Sequence, residues 1–159
     1  MTNNRGGRAA GPVLAAATVA TGLLAGVWFA YVCSVMPALG RADDAVFVDV
    51  MRDINDVIQN PVFFTVFFAA PALTAVAARQ LRGTAAKGWA LAALLLSVAV
   101  FVVTSTVNVP LNDALAAATD PVRARADFES PWVAWNLVRA VLSTAGLVCL
   151  VRALSVRGR

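Results

Sequence analysis

The sequence predicts an all-α fold, a bundle of four transmembrane helices with an amphipathic helix in the first extracytoplasmic loop. Three observations carry that prediction. The 159-residue chain is 60% hydrophobic and only 14% charged, outside the usual soluble range. Its apolar residues gather in stretches 12–39, 61–78, 88–107 and 132–151, each near or above the roughly 18 residues that cross a bilayer. The charges, finally, are sorted between the connecting segments.

That sorting gives the topology. Arg5 and Arg8 precede the first span, Arg79, Arg82 and Lys87 lie between the second and third, and Arg152, Arg157 and Arg159 follow the fourth. None of these segments holds an acid. All 9 acids fall in the other two connectors, as Asp43, Asp44, Asp49, Asp53 and Asp56, then Asp113, Asp120, Asp127 and Glu129. The positive-inside rule puts both termini and the middle connector in the cytoplasm of a multi-pass protein of the cell membrane.

Taken in order, residues 1–11 are polar and glycine-rich and read as a disordered cytoplasmic tail. Residues 12–152 form a single membrane domain, and 153–159 a basic cytoplasmic tail. The first apolar stretch is too long for a signal-peptide core and closes on no clear small-x-small site, so it is expected to remain as a span. Its Gly22-Leu-Leu-Ala-Gly26 segment lets a helix approach closely; packing within the bundle is the expected use, and a homodimer is permitted.

In the first connector Phe47, Val50, Met51, Ile54 and Ile58 recur at helical spacing, with Asp49, Arg52, Asp53 and Asp56 opposite. This is the amphipathic helix, capped by Asp43 or Asp44, with Asn55 at the edge of its apolar stripe. Asn60-Pro61 opens the second span as cap and first-turn proline, and Pro71 bends that span near its middle. The third span carries Ser97, Phe101, Thr104 and Asn108 on one face. Pro110 then either kinks the helix, leaving Asn112 on the same face, or ends it, leaving Asn108 as a cap. Ser130-Pro131 is expected to open the fourth span, with Trp132 and Trp135 in the interfacial aromatic belt.

Several function classes drop out. The basic residues act as topological anchors without aromatic interleaving, so nucleic acid is not an expected partner; membrane lipid is. With no histidine in the chain, His-ligated haem, His-based zinc or copper and Ser-His-Asp chemistry are excluded. No acid lies inside a span, which removes the intramembrane carboxylate of a small multidrug-type exporter. Cys33 and Cys149 lie near opposite ends of their spans, too far apart for a disulfide.

One residue breaks the apolar pattern. Arg139 lies inside the uncharged run 132–151, about 10 Å along the helix from Trp132 at 1.5 Å per residue. A guanidinium at membrane depth costs between about 2.5 kcal/mol and several times that. Asn136 lies one turn away, and Asn108 and Asn112 end the preceding span on the same side. Side chains lean toward the helix N-terminus, so Arg139 reaches outward to those amides. The expectation is an outward-facing pocket of amides around one guanidinium. The competing reading has Arg139 snorkel to lipid phosphate or a loop acid such as Asp113, with the asparagines acting as caps or helix–helix glue.

Asn108-Val-Pro-Leu-Asn112, followed by Leu115, resembles the N-x-P-L-N-x-x-L signature of the anthrone oxygenase-like family of small four-helix membrane proteins. Trp132-x-x-Trp135-Asn136-x-x-Arg139 resembles its W-x-x-W-N-x-x-R signature. Gly22 to Phe29, with Pro37, Leu39, Met51, Ile54 and Asn55, is also similar. The resemblance spans residues 22–151 and implies oxidation of an anthrone to an anthraquinone with dioxygen and no cofactor. For that chemistry Arg139 suits the oxyanion stabiliser, with Asn108, Asn112 and Asn136 orienting phenol oxygens and Trp135 and Tyr31 either lining a ring slot or belonging to the membrane interface; Asn55 joins the substrate-facing set. Nothing selects a base between Asp113 and Asp56. The alternative function is a non-catalytic membrane protein that uses the same polar cluster to bind lipid, a lipophilic small molecule or a partner.

Overall fold

The computed structural model describes residues 4–157, with side chains from residue 10 onward. Among the described residues the fold is entirely helical: α1 (Asn4–Ala30), α2 (Met36–Leu39), α3 (Asp44–Val57), α4 (Pro61–Gln80), α5 (Lys87–Val103), α6 (Val109–Ala117) and α7 (Pro121–Val156). A π-helical turn at Tyr31–Val35 joins α1 to α2, and another at Thr104–Asn108 joins α5 to α6. Four helical spans, Ala10–Leu39, Pro61–Gln80, Lys87–Ala117 and Pro121–Val156, are long and apolar enough to cross a membrane. This is the architecture of a small multi-pass membrane protein. The tail expected over residues 1–11 lies partly outside the described residues, and α1 is helical from Asn4; residues 158 and 159 of the expected C-terminal tail also lie outside.

Each π turn is followed by a proline two residues on, Pro37 and Pro110. A proline in a helix clashes with the carbonyl four residues back and leaves it without a donor. An extra residue in the preceding turn widens the helix where that clash would fall. The third span therefore continues past Pro110, and Asn108 sits inside it rather than capping its end.

The fourth span begins earlier than Ser130-Pro131 suggests. Asp120 caps α7, its carboxylate accepting from the Val122 amide at 3.0 Å, and Pro121 fills the first turn. The same cap-plus-proline signal thus occurs ten residues upstream, and the helix runs on through Pro131.

Around the bundle, α1 packs between α4 and α7, and α5 packs between the same two helices on the other side. One end is small: Ala17, Ala77, Ala78, Ala90, Ala93 and Ala153 are buried together around Leu14, Leu81 and Leu150. Gly146 faces α5, where an added Cβ would lie 3.7 Å from Leu96. Gly22 faces Leu147 of α7 in the same way, so it serves packing within the bundle, whereas Gly26 meets no neighbour within 4 Å. At the other end the core is built of large side chains, with Tyr31, Met36, Phe47, Met51, Leu115, Phe128 and Trp132 buried together. Alanines bring the helices close at one end, and aromatics hold them apart at the other. The site lies at the wide end.

α3 lies across that end with Phe47, Val48 and Met51 buried. Asp43 caps it, accepting from the Val46 amide at 2.9 Å. Arg52 reaches from α3 to the C-terminus of α6, where its guanidinium donates to the Leu115 carbonyl (2.9 and 3.1 Å) and to that of Ala118; a cation there also meets the negative end of the helix dipole. Loss of the cap in Asp43→Ala is expected to destabilise α3 by about 1 kcal/mol, read as faster amide exchange in its first turn with the four spans unaffected.

Candidate functional site

The only charge within the apolar part of α7, Arg139, is 3% exposed. Among the described residues no carboxylate comes within ion-pair distance of it. Its guanidinium carbon instead lies 4.1 Å from the ring centre of Trp28 on α1 and 5.2 Å from that of Trp132 on α7. Two indole faces thus supply the negative potential an acid would otherwise supply. Nη2 donates to Asn136 Oδ1 at 3.1 Å, and Asn136 Nδ2 in turn donates to the Trp28 carbonyl at 3.2 Å. That second bond fixes the amide with its oxygen toward the arginine. Arg139 Nε has no partner among the described residues.

Above the guanidinium is a cavity of about 270 Å³. Phe63, Phe64, Phe67 and Phe68 of α4 and Phe101 of α5 form one wall. Phe67 stacks on Phe63 and on Phe101, with ring centres 5.5 Å apart in both pairs. Trp28, Tyr31 and Trp132 form the facing wall, the last two with ring centres 5.3 Å apart. The π turn Thr104–Asn108 and α6 contribute Thr104, Ser105, Asn112 and Asp113, and the end of α3 contributes Asn55, Ile58 and Gln59. Trp132 Nε1 donates to Asn112 Oδ1 at 2.9 Å, which turns the Asn112 amide nitrogen away from that bond. The result is a slot with aromatic faces and a buried cation; Phe64, Phe68 and Phe101 of its wall are exposed on the outside of the bundle, as is Asp113 among the polar groups.

Of the residues singled out from the sequence, Arg139, Asn112, Tyr31 and Asn55 line this cavity. Asn136 is 1% exposed and reaches it only through Arg139. Asn108 is also 1% exposed, off the cavity wall, with neither amide atom partnered. Trp135 is 39% exposed on the outside of α7 and does not line the cavity; Trp132 does. The phenylalanine wall was not anticipated. Its signal is the pair of doublets Phe63-Phe64 and Phe67-Phe68, one helical turn apart, so that both doublets share a face.

The family model for anthrone oxygenase matches residues 56–149. No curated protein and no solved structure matches the chain. The matched segment begins at the end of α3 and runs into α7 as far as Cys149, and of the cavity residues only Trp28, Tyr31 and Asn55 fall outside it. With more than half its length matched, and with residues 108–115 and 132–139 inside that match, the chain belongs to the anthrone oxygenase family.

Proposed function

We propose that the protein is a cofactor-independent oxygenase of lipophilic, planar phenols of the anthrone type. The observation that carries this reading is Arg139, a buried guanidinium without an acid partner among the described residues, held against two indoles in the lining of an aromatic slot. A flat polycycle fits between the phenylalanine wall and Tyr31 and Trp132, where stacked rings bind well. Its carbonyl or phenol oxygen meets the guanidinium. Loss of a proton from the ring methylene leaves a delocalised anion whose charge rests largely on that oxygen, and a fixed cation in a dry site stabilises it far better than water does.

The overall reaction is anthrone plus dioxygen to anthraquinone plus water. The ring methylene loses two hydrogens and gains the carbonyl oxygen; the other oxygen atom leaves in water. Asn112 orients a phenol oxygen through its free amide nitrogen. Asn136 holds Arg139 in place through its amide oxygen. On the charge distribution, both termini are cytoplasmic and the slot opens on the extracytoplasmic side of the cell membrane, with lipid around the spans.

Purified protein in detergent is expected to accelerate dioxygen uptake with emodin anthrone and to form one anthraquinone per dioxygen consumed. Binding of the anthrone without acceleration would instead favour a non-catalytic binding protein.

A further inference from the structure

We propose that Asp113 is the general base that takes the methylene proton. The assignment rests on the oxygenase reading above and supplies the group that the sequence leaves unselected.

Three titratable side chains line the cavity: Arg139, Tyr31 and Asp113. Asp113 is the only acid among them. The remaining acids are engaged or elsewhere. Asp43 and Asp120 cap α3 and α7. Asp44 and Glu129 bind Arg125 at 3.0 and 2.7 Å. Asp49 and Asp127 lie 3.8 Å from Arg52 and Arg123, while Asp53 and Asp56 are exposed and off the cavity. Asp113 alone faces the slot and has no ion-pair partner among the described residues.

The polarity of the slot fits the reaction. Arg139 is buried and Asp113, beside Asn112 on α6, is exposed, and both line the slot. In an anthrone the carbonyl and the methylene occupy opposite poles of the central ring. We place the carbonyl on the guanidinium and, with it, the methylene at Asp113. The carboxylate takes the proton, and the electron pair of the broken C–H bond passes into the ring system and onto the carbonyl oxygen at Arg139. The anion gives one electron to dioxygen, and superoxide recombines with the ring radical at the former methylene carbon. Protonation of that peroxide by Asp113 returns the base to its carboxylate. The hydroperoxide then loses the second C–H proton and hydroxide as water, leaving the quinone.

Four full-length variants and wild type, assayed in detergent for dioxygen uptake with emodin anthrone, test the assignment. Asp113→Asn is expected to lower kcat by at least about 100-fold, the scale of a lost general base, while anthraquinone still binds as to wild type. Asp113→Glu should keep part of the rate, and added formate should restore part of it to Asp113→Asn, because position 113 is exposed to small solutes. Asp56→Asn should match wild type. A wild-type rate in Asp113→Asn overturns the assignment; if Tyr31→Phe then shows the formate-rescued loss, the tyrosine is the base. A loss that neither glutamate nor formate restores also overturns it. If wild type itself is inert, the oxygenase reading fails first and the base falls with it.

Discussion

Arg139→Met is expected to lower anthrone turnover by about 10²–10³-fold, the scale of removing one oxyanion donor, while leaving the protein folded. The second half of that expectation follows from what holds the guanidinium. Its burial in the membrane region costs at least about 2.5 kcal/mol. Against this stand two desolvated cation–π contacts, worth about 2 kcal/mol each at best, and one hydrogen bond to Asn136 three residues back on the same helix. These terms come close to cancelling, and Nε is left without a partner. Replacing buried charges with apolar groups of similar size is often neutral or stabilising, and methionine is long enough to keep contact with both indoles. The thermal midpoint in detergent should therefore stay near wild type or rise. Arg139→Lys should lose nearly as much rate, because a compact ammonium cannot lie flat between two rings and still present donors to an oxyanion. An unchanged rate in Arg139→Met would remove the arginine from the chemistry. A lost rate together with a collapsed midpoint would make it a structural residue.

How much of this site is readable in the sequence depends on what each residue needs. Arg139 stands out because one charge in a long apolar run has no local excuse, and the seven residues back to Trp132 bring both onto one face with a drift of only about 20°. The cation–indole contact was therefore implicit in the spacing. Trp132 and Trp135 are harder to separate: three residues apart, they sit on neighbouring faces, and only the packing of α1 decides that Trp132 turns inward and Trp135 outward. The four spans and α3 follow from hydropathy and period, which local sequence encodes directly. The π turns do not, because a widened turn is a response to Pro37 and Pro110 rather than a residue preference. Nor does the start of α7, where two cap-and-proline pairs compete and tertiary contacts let the earlier one win. The cavity is least legible of all. It depends on the phenylalanines of α4 meeting Phe101 of α5, a contact between two spans whose apolar faces look alike in sequence.

The largest loss of stability is expected from Arg125→Ala. Arg125 sits in the second turn of α7 with its side chain 16% exposed. Nε donates to Glu129 at 2.7 Å, Nη1 to Asp44 at 3.0 Å and to the Ala42 carbonyl at 2.8 Å, and Nη2 to the Gly40 carbonyl at 3.0 Å. Its guanidinium carbon also lies 4.6 Å from the ring centre of Phe47 on α3. One side chain thus ties the end of the first span, the start of α3 and α7 together. An exposed ion pair is worth about 1 kcal/mol or less, but truncation here leaves two acids and two carbonyls without their donor at once. Unpartnered groups of that kind cost about 1–3 kcal/mol apiece when buried; with partial exposure, a total of about 2–4 kcal/mol is the reasonable scale. Lysine cannot reach all four acceptors and should rescue little. The loss should appear as faster amide exchange across α3, by about 30-fold or more, since 1.4 kcal/mol is a factor of ten, with the alanine-packed end of the bundle still protected. Because Asn55, Ile58 and Gln59 at the far end of α3 line the cavity, KM for the anthrone should rise while kcat changes less. Unaltered exchange in α3 would mean that Phe47 and Met51 hold the helix down unaided.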